Sequence, residues 1–325
     1  MSERLTERQN ADRVFGRAEG DPQWVPIAGQ YNEMVFSSGL HERPSEPYGQ
    51  DWSGCWWRFD EKCLGYAPDL TKPPVLEDIT RWREVVPFPD LEAIDWEECA
   101  RRDLAAFDRE NKYLCMFMET GPWERVQALM GMTEAFASFY EEPEALKELL
   151  NAITDYKVTA IRKIGEYYHP DEYFAQDDLG TAKGPMFSNE IYREFLQPCH
   201  KRIADAIHET GALYMHHSCG CMDALMEDLY AIGVDTFNPL QGMNDWEGIV
   251  SKFGDRACFS IGVGSVDRAD NTPDFVRNEI HRIIDTFGPS KHLSVMCFPT
   301  NADALPLIDV AITELQNYGH EFYAN

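Results

Sequence analysis

The sequence predicts an α/β fold, a (β/α)8 TIM barrel with an N-terminal capping extension. Three observations carry this. From about residue 113 a short apolar run repeatedly gives way to polar residues or glycine and then to an amphipathic helical stretch, and such alternation implies a parallel sheet. Buried strands with polar C-terminal ends fit a barrel whose site lies at that face. A doubly wound open sheet is the competitor, but no glycine-rich phosphate turn follows any of the runs.

A first strand is expected around Trp24–Ala28. Residues 21–105 are irregular and rich in Trp, Pro and Asp, with the run Asp51-Trp52-Ser53-Gly54-Cys55-Trp56-Trp57; this stretch reads as an extended segment capping one end of the domain. Its tryptophans serve packing or, alternatively, border a pocket. The later runs are Leu114–Met118 before Glu119-Thr120-Gly121, and Tyr173–Ala175 before Gln176-Asp177-Asp178. Ala212–Met215 precedes His216-His217-Ser218-Cys219, and Val234–Phe237 precedes Asn238. Ala257–Ile261 and Leu293–Met296 complete the set. Between them, Pro143–Tyr167 spaces Leu146, Leu149, Leu150, Ile153, Ile161 and Ile164 as one helical face. Thr272-Pro273 supplies an N-cap with proline in the first turn of a helix that stops near Gly288. A last helix, Asn301–Tyr318, is expected to end at Gly319 as its C′ residue. Residues 1–325 are read as one domain, with 1–105 the first strand plus cap and 106–325 the remaining βα units.

Of the 325 residues, 44% are hydrophobic and 26% charged, an ordinary globular composition. Lys and Arg total 29 against 56 Asp and Glu, a formal charge of −27, which argues against nucleic acid and anionic membranes as partners. No apolar run reaches the ~18 residues of a transmembrane helix, and Met1 to Gly20 has no apolar core of a secretory leader. A cytoplasmic protein is the expectation. The nine cysteines, at 55, 63, 99, 115, 199, 219, 221, 258 and 297, are too irregular for a disulfide framework and point to free thiols, with a subset binding metal.

The polar strand ends of a barrel converge, so their residues form one set of candidates. His217 and Cys219 are two positions apart in an extended segment and point the same way. Cys297 ends a later strand similarly. Together they would make a His-Cys-Cys site in which two thiolates offset the charge of Zn2+ and a fourth position stays open, as in catalytic zinc sites. Packed free cysteines are the plain alternative, with Cys221 the rival of Cys219 and His216 of His217. Asp177 and Asp178 sit at a strand end, as substrate contact or acid/base, or else as helix caps. Glu119 is a fourth metal ligand, a substrate contact or a loop carboxylate. Asn238 and Gln241 would bind a polar substrate group or satisfy loop backbone; Tyr31 would line the pocket or simply pack.

The stretch Tyr214-Met215-His216-His217-Ser218-Cys219-Gly220 resembles the H-x-C-G segment of the cobamide-dependent methyltransferases in the uroporphyrinogen decarboxylase superfamily. Val295-Met296-Cys297-Phe298-Pro299-Thr300 matches the place of that family's last cysteine. The similarity extends through Asp178-Leu179-Gly180, Tyr192-Arg193-Glu194-Phe195 with Pro198, Ile232-Gly233-Val234-Asp235 and Asn238-Pro239-Leu240-Gln241, so it covers most of the chain from about residue 110. The resemblance implies zinc held by His217, Cys219 and Cys297. It also implies a methyl group moved between a small methylated donor or thiol acceptor and cobalamin carried by a separate corrinoid protein, with the direction open. Two alternatives stand beside this. A uroporphyrinogen decarboxylase would need cations for many carboxylates, yet the family's A-G-R-Y segment reads Ala28-Gly29-Gln30-Tyr31 here, and Gln30 cannot make arginine's charged fork. A non-catalytic protein would use the same pocket to bind a small ligand or a corrinoid partner.

Overall fold

The computed structural model describes residues 4–60, 65–263, 272–297 and 305–324. The sheet opens with β1 (Asn32–Val35), and the six later apolar runs become β2 (Tyr113–Met118), β3 (Glu172–Gln176), β4 (Leu213–His217), β5 (Thr236–Asn238), β6 (Cys258–Gly262) and β7 (Leu293–Met296). They form one parallel sheet in which spatial order equals sequence order. Ile27 makes a parallel bridge to Val295 of β7, with Val295 N–H donating to Pro26 O at 3.0 Å and Ala28 N–H to Val295 O at 2.9 Å. The sheet therefore curls until its last strand meets the segment that precedes its first, a TIM-barrel-like arrangement.

The expected first strand at Trp24–Ala28 is corrected: only Ile27 bridges there, and the regular strand starts at Asn32. Pro26 has no N–H to give a ladder, and the chain then turns, with Gln30 and Tyr31 N–H both donating to Ile27 O and Gly29 at a φ of +86°. The segment after β1 is less irregular than expected. Tyr48–Gln50, Trp56–Asp60 and Gly65–Pro68 pair as a three-stranded antiparallel sheet. Its tryptophans pack: Trp57 is buried with Nε1 donating to Asp51 Oδ2 at 2.7 Å, and Trp52 lies against Phe88 and Tyr156.

Both faces of the curled sheet are buried, which is why its strands read as continuous apolar runs. Inside, Cys115, Phe174 and Met215 form a small cluster with Phe117 and Met296. Outside lies the main core, to which helix Pro143–Tyr168 contributes all six of its expected apolar positions; each such side chain stabilises by about 1.5–3 kcal/mol. Helix Pro273–Phe287 starts as expected, Thr272 Oγ1 accepting from Phe275 N–H, and ends at Gly288. The last helix departs from expectation. It covers Leu305–Ala324 and runs through Gly319, whose missing side chain leaves room for Val25, 3.4 Å from where a Cβ would stand. The expected start at Asn301 lies outside the described residues, as do Cys63 and Phe298–Thr300. The eight described cysteines are free thiols. Among the described residues no helix is long and apolar enough to cross a membrane.

A buried charge network ties the N-terminal segment to the barrel's helices. Arg125 pairs with Asp51 and with Glu42, the latter at 2.8 Å, while Lys157 Nζ holds the other Glu42 oxygen at 2.8 Å. Two cations meet two carboxylates, so the network carries little net charge, the condition under which buried ions are tolerated.

Candidate metal centre

Strand alternation decides which histidine of β4 faces inward. His216 points outward to the helices, where Nδ1 lies 2.8 Å from Tyr214 Oη and the ring packs on His200. Burial, then the neighbouring His200 and His217, hold it neutral. His217 faces the interior beside the Phe174 ring, 4.8 Å between centroids. Its Nδ1 is 2.7 Å from Asn238 Oδ1, and Asn238 Nδ2 in turn donates to Ser260 Oγ at 2.7 Å. Because the amide nitrogen is used on Ser260, the oxygen faces His217 and the proton sits on Nδ1. The lone pair on Nε2 is thereby aimed at Cys219 Sγ, 3.8 Å away, and Asp178 Oδ1, 3.9 Å away.

The loop after β4 is zipped to the turn after β3. Cys219 N–H donates to Asp178 Oδ1 at 2.8 Å, Ser218 Oγ accepts from Leu179 N–H at 2.9 Å, and Cys221 N–H donates to Thr181 O at 2.8 Å. Gly220 makes this possible: its φ is +96°, and a Cβ would stand 2.6 Å from the Gly180 carbonyl carbon. Gly220 N–H is held by Gln241 Oε1 at 2.7 Å. Cys221 turns away toward Asp223, 3.6 Å from its Oδ2. Asp178, His217 and Cys219 are thus left with one ligand atom each, all within 4.8 Å of one another. Bonds of about 2.0 and 2.3 Å at a tetrahedral angle put imidazole N and thiolate S about 3.5 Å apart, so a small inward shift of the 3.8 Å pair would seat zinc. The donor set of nitrogen, sulfur and carboxylate oxygen fits that ion. Burial first, then Asp178 and Glu124, hold the Cys219 thiol well above its ordinary range, and a cation between these groups would reverse that.

The other expected residues lie at varied places relative to this group. Cys297 is outside the three-residue cluster. It follows Met296, whose sulfur lies 3.8 Å from Asn238 Nδ2, and burial pushes its thiol up to about 12. Asp177 is a helix cap: its oxygens accept from Trp123 N–H at 3.1 Å and Glu124 N–H at 2.9 Å, and Oδ2 also pairs with His200 Nε2 at 2.8 Å. Glu119 lies 3.4 Å from Arg43 Nε. Tyr31 is corrected in position. It precedes β1 at the N-terminal end of the strands, the end away from the cluster, fully buried against Phe15 and Tyr113 with its N-terminal neighbours. There too Glu172 faces the interior, hydrogen-bonded to Asn32 Nδ2 at 3.0 Å and pushed up to about 7 by burial.

Two residues that the sequence reading passed over act on this group electrostatically. Glu124, third in helix Pro122–Met130, feels Asp178 and Arg43, and burial is the largest cause of its raised pKa. Arg43 lies near enough to His217 to disfavour its protonation. Glu124 reads in sequence as an ordinary first-turn acid, and Arg43 lies in a stretch without periodicity.

The family model described as "Uroporphyrinogen decarboxylase (URO-D)" matches residues 54–296. A methylated-thiol–coenzyme M methyltransferase of Methanosarcina mazei is 31% identical over 97 residues, 30% of this chain; the match spans a quarter (25%) of that relative's length. Among solved structures, a methyltransferase from Methanosarcina mazei aligns over 97% of this chain and 99% of its own at 14% identity and a TM-score of 0.71. A B12-independent methionine synthase from Shewanella sp. W3-18-1 aligns over 85% of this chain and 77% of its own, at 11% identity and a TM-score of 0.50. These structural likenesses speak for the fold. The chain belongs to the uroporphyrinogen decarboxylase family, and the relatives it resembles here are methyltransferases.

Proposed function

We propose that this chain is a zinc-dependent methyltransferase that moves a methyl group between a small methylated donor or thiol acceptor and the cobalamin of a separate corrinoid protein. The observation that carries the reading is the convergence of His217, Cys219 and Asp178 at the C-terminal ends of β3 and β4, where barrel enzymes place their chemistry. The fold is read as a (β/α)8 barrel that closes where Ile27 bridges Val295, with the segment between β1 and residue 105 as its cap. His217, Cys219 and Cys297 would hold the zinc, which when bound would favour the ionised form of a substrate thiol or polarise a methyl donor.

The chain's own groups prepare that chemistry. Asn238 fixes the histidine tautomer. Gln241 and Gly220 hold the loop that presents Cys219. Asp178, anchored by the Cys219 amide, faces the metal or its substrate, and Glu119 with Arg43 borders the same mouth. The corrinoid protein would dock over the strand ends.

Elemental analysis of the purified protein beside Cys219→Ala and Cys297→Ala tests the site: about one zinc per chain, lost in both variants while circular dichroism stays unchanged, is expected. Methyl transfer between methylcobalamin and small thiols tests the activity. Full zinc in both variants would overturn the ligand set; zinc without transfer across donors and acceptors would favour a binding protein.

A further inference from the structure

The inner face of the barrel is unevenly filled. On the β1 side Met34 and Phe36 are 40% and 54% exposed, although Met34 stands in the strand opposite Cys115, a member of the interior cluster. Barrel interiors are normally packed with side chains, so an inward-facing strand residue that still meets solvent marks an open lumen on this side. Large apolar side chains left bare in a concavity are the usual lining of a ligand pocket.

A run of rings joins this opening to the metal cluster. Phe36 meets Phe117 edge-on, 5.0 Å between centroids and 87° between planes. Phe117 meets Phe174, its register partner on β3, at 4.9 Å and 69°, and Phe174 lies 4.8 Å from the ring of His217. Side-chain alternation on neighbouring parallel strands puts these rings on one wall. The polar groups beside the cluster are already engaged. Asn238 gives its oxygen to His217 and its nitrogen to Ser260, and Gln241 Oε1 holds Gly220 N–H. Glu119, two residues past Phe117, is closed on Arg43 at 3.4 Å. What this wall offers a substrate is therefore apolar and aromatic. A charged group laid on it would be desolvated without a partner, whereas an aryl group gains stacking as well as burial.

We propose that Phe36 and Phe117 form the subsite for an aromatic body on the small substrate, so that the chain prefers an aryl-bearing thiol, or its methylated form, to a short alkyl or charged one. This rests on the metal-centred reading above, in which the sulfur reaches the cluster while the ring lies on the wall.

The test uses the full chain with cobalt(II) in place of zinc, titrated with phenylmethanethiol, ethanethiol and 2-mercaptoethanesulfonate. The thiolate-to-cobalt absorption band reports each Kd without any turnover. In the wild type, phenylmethanethiol should bind at least about tenfold tighter than ethanethiol, and tighter than the sulfonate. Phe36→Ala removes an exposed ring, so circular dichroism should not change. It should weaken phenylmethanethiol by about five- to tenfold and leave ethanethiol within about twofold. Phe36→Tyr keeps the ring and should stay within about twofold of wild type for both. Taking the ratio of variant to wild type for each thiol cancels differences in thiol acidity. Phenylmethanethiol binding no tighter than either other thiol, or a loss in Phe36→Ala equal for all three, would overturn the proposal while leaving the metal-centred reading intact. A band absent with every thiol would sink that reading. Calorimetric titration of the same chain with benzyl methyl sulfide then decides the aromatic subsite by itself: weaker binding to Phe36→Ala upholds it, and no binding to wild type or no loss in the variant overturns it.

Discussion

Asn238→Ala should loosen the proposed zinc without dismantling the barrel. The Asn238 carboxamide accepts from His217 Nδ1 and donates to Ser260, both at 2.7 Å. Its removal frees the imidazole to rotate and to exchange tautomers. Loss of the outer partner of a metal-binding histidine costs about 10–100-fold in affinity, equivalent to ~1.4–2.7 kcal/mol. Two lost hydrogen bonds and a small cavity should cost the fold another ~2–4 kcal/mol, which a well-folded domain survives at 25 °C. The assay is zinc competition against a chromophoric chelator at pH 7, with circular dichroism on the same samples. Asn238→Asp supplies the contrast, because it keeps the acceptor and adds charge, making the imidazole a stronger donor. The expected order of affinity is Asp at or above wild type, with Ala at least about tenfold weaker than wild type. A folded Ala variant within threefold of wild type, or an Asp variant as weak as Ala, would refute the claim that this contact aims Nε2.

Gly220→Ala should lose ~2 kcal/mol or more in denaturant unfolding, and zinc with it, because φ is +96° and the new Cβ would meet Gly180 backbone at 2.6 Å; wild-type behaviour would mean the loop is not built by this contact. Glu172 should make stability fall with rising pH. Its carboxyl binds the proton more tightly folded, at about 7, than in its ordinary state at 4.5, so its contribution is intact below about pH 4.5 and is lost as pH climbs through 7, by about 3 kcal/mol in all. Unfolding at pH 5 and 8 should therefore show Glu172→Gln gaining on wild type at the higher pH, and parallel pH curves would contradict it. Arg125→Met should destabilise by ~3–5 kcal/mol, since Asp51 and Glu42 would lose a buried cation; a change under 1 kcal/mol in chemical denaturation would show the network to be dispensable.

Most of the fold was legible because parallel barrel strands advertise themselves as apolar runs with polar ends, and six of the seven regular strands lie where those runs do. The misplaced first strand shows the limit of that signal. Trp24–Ala28 is as apolar as a strand, but Pro26 and the Gly29 turn keep it from pairing as one. Gly319 misled for the opposite reason: glycine marks a helix end and also a tight helix contact, and only the packing of Val25 distinguishes them. At the site, strand alternation paired His217 with Cys219 but left His216 and Cys221 as rivals; the H-x-C-G resemblance favoured the pair, and the fold does bring those two together with Asp178. Asp177 and Asp178 were inseparable in sequence, since adjacent strand-end carboxylates look alike. Their opposite faces send one to the Trp123 and Glu124 amides and the other to Cys219 N–H. Glu124 and Arg43 were invisible because their importance depends on what the fold places opposite them.

The buried ions also explain how a segment distant in sequence helps to build the mouth. Glu42 is held from two sides, by Arg125 on the helix after β2 and by Lys157 on the long helix before β3. Its neighbour Arg43 is thereby held with its guanidinium 5.0 Å from the Trp57 ring centre and against Glu119, and Lys157 also donates to the Glu119 carbonyl. One clamp therefore fixes both members of the Arg43–Glu119 pair. If Arg43 cancels Glu119 only while that clamp holds, the charge felt by a substrate at Cys219 depends on residues that never touch it. A packing defect in the N-terminal segment would then alter substrate choice before it altered metal binding, because the proposed zinc ligands His217, Cys219 and Cys297 sit on β4 and in the segments after β4 and β7, outside the clamp.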